Sequence, residues 1–336
     1  LEEEEGRGLL RLAAGSALII DSRALAAVCG LEELERQLVR LSRRCSAVLV
    51  CRVSPLLKAL AIRLIKAHVT PPPLTLAIGD GANDVPMIQE ADIGVGIHGV
   101  EGTQARRASD YSVGQFRFLA RLLLVHGRYN YRRVCVTFLY SFYKNITMVL
   151  TLFLFGADCG FSAASLYDGW MMAVFNVFFT ALPIIAYGAL EQDVSPPLLL
   201  AFPRLYGVAQ PGSELNAAVV LLWLCNAALH ACVVYWGGSL IFGGGLADPL
   251  ALDGHVRGTA INGLLVATVS LKLAMHTTHW TALNAACALG SALLWFAFVS
   301  AYSAAGGALG LVRFAHVGAA VLQQPSFWLA LILVPT

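Results

Sequence analysis

Apolar positions divide the chain into two regimes. Up to about residue 133 they come in runs of four or five, or at helical spacing among charges; beyond it the runs are long enough to cross a bilayer. In the first regime, residues 16–20 (SALII) form a short apolar run ended by Asp21 and read as a strand. Leu31, Leu34, Leu38 and Leu41 then recur at helical spacing, which predicts an amphipathic helix packed on a sheet. Residues 47–51 (AVLVC) are the next strand. Ser54-Pro55 supplies an N-cap and a first-turn proline for a helix reaching about His68. Pro71-Pro72-Pro73 ends that unit. Residues 74–78 form a third strand, stopped abruptly at Gly79-Asp80-Gly81, with a helix over 85–90, a strand over 93–97 and a short helix over 101–108. Strand and helix alternate, so a mostly parallel sheet covered by helices is expected.

The second regime opens with residues 115–156, which contain no clear break. A helix of that length extends about 60 Å, twice one bilayer core, so a stalk helix that continues into the membrane is predicted. Its basic residues Arg117, Arg121, Arg128, Arg132 and Arg133 suit the headgroup zone. Further spans are expected over 170–188, interrupted by Asn176, Thr180 and Pro183, and over 215–236, 259–275 and 282–302. A sixth begins at 326–334. With the first region cytosolic, the loops near 157–169, 237–257 (with Asp248 and Asp253) and 303–324 lie on the far side. The 189–213 connection and the 276–281 turn then lie on the cytosolic side.

Charge follows the same division. Of the 23 Lys and Arg, 18 precede residue 134, as do 14 of the 21 Asp and Glu. The expected domains are therefore a soluble part over 1–114, a stalk over 115–133 and a membrane part over 134–336. The formal charge of +2 gives no argument for nucleic acid binding. The opening LEEEEGRG has neither the basic end nor the apolar core of a signal peptide. The chain reads as a piece of a larger protein or as one of two chains. Its eight cysteines form no CxxC pair, which argues against a disulfide framework or a zinc site.

The candidate chemistry lies where the third strand stops. Asp80, Asn83 and Asp84, with glycines between and before them, offer hard oxygen donors at the carboxyl edge of a parallel sheet, an environment that suits Mg²⁺ bound to phosphate. Lys58, one turn inside its helix, can reach that edge as a point charge toward a phosphoryl group; a solvated helix lysine is the plainer reading. The glycines around His98 (GVGIHG) are not a Walker sequence and read as turns that let backbone pass close to the Asp80 loop. In the first span Lys144 lies deep among apolar residues, so it should face the bundle interior or a wet path, with Asn145 beside it. Lys272, near a helix end, can snorkel.

The segment GDGANDVPMIQEADIGVGIHGVEGTQARRASDYSVGQFRFLARLLLVHGR resembles the hinge and phosphorylation-domain end of P-type ATPases. CRVSPLLKA, LYSFYKN, FNVFFTALP, EQDVS, LKLA and PSFWL resemble type IV, the phospholipid flippases. The resemblance covers nearly the whole chain. It implies an α/β fold, a haloacid-dehalogenase-like Rossmannoid partial domain, followed by an all-α polytopic membrane domain whose six spans are the fifth to tenth of ten. It implies Asp80 as the main Mg²⁺ carboxylate with Asp84 as second metal residue, and Lys58, Asp80, Asn83 and Asp84 as catalytic residues. Arg52, Lys58 and Asn83 would contact the bound cofactor. Lys144, Asn145 and Asn176 would line the lipid path. ATP would be the substrate of the complete enzyme, and aminophospholipid-type lipids would move from the exoplasmic to the cytosolic leaflet of the plasma membrane or a Golgi or endosomal membrane. The family often uses a two-span glycosylated accessory subunit.

Departures limit the expectation. No DKTGT occurs, and no counterpart of the nucleotide-binding or actuator domain is present. Where the family has a VIDGK-like segment, this chain has Ile20-Asp21-Ser22-Arg23. The chain alone is therefore expected to be inactive and to need a companion segment or chain. A cation-transporting relative would need acidic residues within the spans, and none falls inside those proposed. A non-catalytic regulatory module is the other alternative.

Overall fold

The computed structural model describes residues 16–99, 103–207, 212–242, 254–306 and 314–335. The LEEEEGRG opening, Glu101, Asp248 and Asp253 lie outside the described residues. The chain divides into two units, Leu1–Arg121 and Leu122–Thr336.

The first unit runs β1 (Ala17–Asp21), α1 (Ser22–Val28), α2 (Glu32–Ser42), β2 (Ala47–Cys51), α3 (Pro55–His68), β3 (Leu76–Gly79), α4 (Val85–Glu90), β4 (Ile93–Ile97), α5 (Gln104–Ala108), β5 (Tyr111–Val113) and α6 (Phe118–Arg121). All strand pairs are parallel, as the alternation predicts, but they form two sheets rather than one: β1-β2, and β3-β4-β5. Each sheet has its own small core. Ile20, Leu25, Val39 and Leu64 close the first, and Ala77, Ile88 and Ala105 the second. Leu25 is 2% exposed, a burial that contributes about 2 kcal/mol. Two elements have local causes that apolar spacing does not register. Asp21 ends β1 and caps α1, its Oδ1 accepting the Ala24 N–H at 2.8 Å. The three-residue β5 is held by its ladder with β4.

The second unit begins with a π-helical turn, Leu122–Gly127, followed by α7 (Arg128–Asp158). The expected stalk is helical from Phe118 onward, residues 115–117 being bend and turn, and it changes winding at the π-helical turn, where the sequence shows no break. There follow α8 (Gly169–Val174), a second π-helical segment (Phe175–Phe179), α9 (Ala181–Leu190), α10 (Pro196–Ala201), α11 (Arg204–Gly207), α12 (Ala217–Phe242), α13 (Gly254–His276), α14 (Ala282–Ala305), α15 (Val317–Leu322) and α16 (Pro325–Leu333). Among the described residues five helical stretches are long and apolar enough to cross a membrane: Phe118–Asp158, Gly169–Leu190, Ala217–Phe242, Gly254–His276 and Ala282–Ala305. The segment expected as a sixth span is the nine-residue α16. α13 is buried on every face from Thr259 to Val266 and forms the centre of the bundle. The carbonyl of Leu166 packs onto it at Gly258, where a Cβ would lie 1.9 Å from the carbonyl oxygen, so only glycine fits.

Candidate functional site

In the first unit the site forms where β3 ends. Gly79 is the last strand residue, and the chain turns back through a short 3₁₀ segment, Ala82–Asp84, into α4. The turn is so tight that a Cβ on Gly79 would lie 2.3 Å from the Asp84 Cβ. Asp84 organises it. One carboxylate oxygen accepts the Lys58 ammonium at 2.7 Å, and the other accepts the backbone N–H groups of Asp80 at 3.2 Å and Gly81 at 3.4 Å. Burial pushes the Asp84 pKa up. The Lys58 hydrogen bond and charge and the two amides outweigh it, so the group lies below the usual carboxylate range.

Lys58 and the residues of the Asp80–Asp84 turn come together here with different duties. Asp84 is committed to Lys58 and to the loop, whereas Asp80 and Asn83 are exposed at the sheet edge. Arg52, just beyond β2, is also exposed and holds a φ of 53°, a left-handed conformation that is costly for a residue with a Cβ and concentrates at functional loops. The Asp80 carboxylate, the Asn83 amide and the negative charge of Asp84 are hard oxygen donors, and they fit Mg²⁺ as a partial set that phosphate oxygens and water would complete. His98 pairs with Arg106 at 2.8 Å, away from a role as base. A cavity of about 610 Å³ lies between the two sheets, lined by apolar residues including Ile20, Val50, Ile62 and Ile78, with Lys58 and Asp84 in its wall.

In the second unit Lys144 is 6% exposed. Its ammonium donates to Thr180 Oγ1 at 2.7 Å, and that hydroxyl donates to the Phe175 carbonyl at 2.9 Å. The winding change over Phe175–Phe179 frees carbonyls from the helical ladder; Thr180 satisfies one, and Ser291 of α14 donates to another, that of Phe179. Asn145 donates back to the Ser141 carbonyl of its own helix at 2.9 Å, and Asn176 is exposed. Lys144 and Asn145 are thus neighbours in sequence with separate partners. Thr180 and Ser291 enter the site although sequence reasoning did not assign them. Thr180 interrupting an apolar run was the only signal, and nothing local marks Ser291.

Near the start of α7 an ion network closes the 191–214 connection. Asp193 receives Arg128 at 2.7 Å and Arg132 at 2.6 Å, and Arg132 also reaches Glu214 at 3.3 Å. Burial pushes the Asp193 pKa up, but its two arginines outweigh that and hold it below the usual range.

Comparisons with known proteins reach both units. The family described as "Phospholipid-translocating P-type ATPase C-terminal" matches residues 106–336. Phospholipid-transporting ATPase C887.12 of Schizosaccharomyces pombe is 39% identical over 323 residues, covering 95% of this chain and 25% of the relative. Phospholipid-transporting ATPase DRS2 of Saccharomyces cerevisiae is 40% identical, covering 95% of this chain and 24% of the relative. Phospholipid-transporting ATPase IC of Xenopus tropicalis is also 40% identical, over 90% of this chain and 24% of the relative. The chain therefore spans about a quarter of the length of these relatives. With a matched domain over most of its length and this identity across both units, the chain belongs to the phospholipid-translocating P-type ATPases.

Proposed function

We propose that the chain supplies the phosphate-side edge of a haloacid-dehalogenase-like domain and the second part of the transport domain of an ATP-driven phospholipid translocase. The observation that carries this reading is the Asp80–Asp84 turn: an exposed carboxylate and amide beside a lysine-neutralised aspartate, all at the carboxyl end of a parallel strand. Asp84 fixes the turn through the Asp80 and Gly81 amides and sets the position of Lys58, whose ammonium faces an incoming phosphoryl group. Asp80, with Asp84 as the second carboxylate and Asn83 in support, would hold Mg²⁺, which when bound neutralises phosphate charge. Arg52 and Lys58 balance the remaining anionic oxygens. The phosphoacceptor aspartate comes from a companion segment, and the apolar cavity between the two sheets accommodates strands of that segment.

The transported lipid passes Lys144, Asn145 and Asn176, in a mid-span region where a buried ammonium and polar side chains interrupt the apolar helix surfaces. Movement runs from the exoplasmic to the cytosolic leaflet, with the first unit cytosolic. The chain works as part of a complete enzyme in a plasma, Golgi or endosomal membrane, with a two-span glycosylated accessory subunit as a further partner. The test uses the whole protein that contains this chain: Asp80→Asn abolishes Mg²⁺-dependent phosphorylation from ATP. Normal phosphoenzyme formation in that variant overturns the assignment.

A further inference from the structure

The arginines at the start of α7 are not equivalent. Arg128 and Arg132 both bind Asp193. Arg133, half-buried beside them, donates its Nε to the Glu191 carbonyl at 2.7 Å and lies over the Tyr129 ring at 5.3 Å. Among the described residues no carboxylate pairs with it. Its two terminal amino groups are the fork that matches a phosphate or carboxylate.

Arg133 also starts a row. Thr137, Ser141 and Asn145 follow at successive intervals of four, so the four polar side chains share one face of α7. The row spans 12 residues, about 18 Å, roughly half the thickness of a bilayer's hydrocarbon core. An open groove of about 500 Å³ lies along it, lined by Arg133, Val134, Thr137, Phe138, Ser141 and Gly188 of α9. Gly188 keeps the α9 wall thin at this point: a Cβ there would stand 3.5 Å from Thr137 Oγ1. Ser141 turns its hydroxyl hydrogen to the Thr137 carbonyl at 2.7 Å, as Asn145 does to Ser141. Thr137 Oγ1 is buried without a hydrogen-bond partner. An orphaned hydroxyl and an arginine without a counter-ion on one groove in an otherwise apolar helix pair are an unsatisfied acceptor–donor set.

We propose that this groove is a binding site for the phosphodiester of a phospholipid headgroup on its way into the cytosolic leaflet, with Arg133 receiving the phosphate and Thr137 and Ser141 lining the approach from Asn145. The inference rests on the transport reading above and adds a site to it. Charge complementarity selects the occupant: the fork is cationic, the row is uncharged, and the groove walls are apolar enough for acyl chains. The row is continuous with Asn145, already placed on the lipid path.

The test uses the whole protein reconstituted in phosphatidylcholine vesicles doped in turn with phosphatidylserine and phosphatidylethanolamine. Arg133→Gln keeps a donor for the Glu191 carbonyl but removes the charged fork. It raises the lipid density for half-maximal stimulation of ATP turnover roughly tenfold, the size expected for one charge-assisted contact, with a smaller change in the maximum. Arg133→Lys recovers part of the loss. Thr137→Cys is labelled by a phosphatidylethanolamine whose headgroup carries a maleimide. If Arg133→Gln leaves the lipid dependence as it was, or the cysteine stays unlabelled because another helix covers the groove, the site is overturned. Lys144→Ala separates the two levels. Wild-type transport in that variant removes the path itself, whereas impaired transport there with wild-type lipid dependence in Arg133→Gln removes only the groove.

Discussion

Lys58 and Lys144 are the same residue type under opposite conditions. Lys58 sits at a sheet edge, a third exposed, and meets a full carboxylate at 2.7 Å. Lys144 sits in an apolar helix bundle, almost wholly buried, and its partner is the hydroxyl of Thr180 at the same distance. Lys58 has a full counter-charge in Asp84, which fixes its position at the sheet edge. The described partner of Lys144 is a hydroxyl rather than a carboxylate, which suits the lipid-path role proposed for it.

The comparison can be broken most sharply by function. In the whole protein Lys58→Ala lowers phosphorylation from ATP by about a hundredfold, the usual cost of one preorganised charge contact. Lys144→Ala instead shows its main loss in lipid-stimulated turnover. A phosphorylation defect in Lys144→Ala as deep as that of Lys58→Ala would erase the distinction. Next in size is stability. Thr180→Val strands the buried ammonium and costs about 2–3 kcal/mol in denaturant unfolding. Thr180→Ser restores most of that, and the Lys144→Met, Thr180→Val pair is closer to wild type than Thr180→Val alone. Strict additivity in that cycle shows that the hydrogen bond carries no coupling.

A smaller effect concerns acid. The folded pKa of Asp84 is lowered, so its contribution to the turn is complete above the ordinary carboxylate pKa of about 3.9 and is lost as pH falls through the lower folded value. Amide hydrogen exchange at Asp80 and Gly81, corrected for intrinsic rates, therefore loses protection only below about pH 4. Loss of protection near neutrality contradicts the assignment. The smallest effect is on the stability of Lys58→Met. It stays within about 1 kcal/mol, because the pair is partly solvated and Asp84 keeps its two amides.

Much of the first unit was legible because its strands are bounded by abrupt polarity changes. Residues 47–51 and 93–97 match β2 and β4 end to end. The joining of these strands into two sheets was not legible, since pairing depends on which other strands are present. Lys58 and Asp84 could each be picked from sequence, but not their pairing across 26 residues. In the membrane unit hydropathy located the five long apolar helices. It could not register the two π-helical segments, because an extra residue per turn changes neither composition nor run length. Ser291, bonded to a carbonyl 112 residues away, illustrates the same limit: its role exists only through packing.

The two sheets carry one more consequence, for the life of the protein in the cell. β1, β2, β3 and β5 each have a ladder side without a described strand partner, and Ile19, Val48, Leu49 and Leu76 are exposed on them. Unpaired strand edges beside apolar side chains are templates for unwanted pairing. Made without the companion segment proposed above, the first unit would present adhesive surfaces to neighbouring chains and would draw chaperones and proteases. Production of this chain by itself should give an aggregation-prone product, and co-production with the companion segment proposed above should rescue its yield.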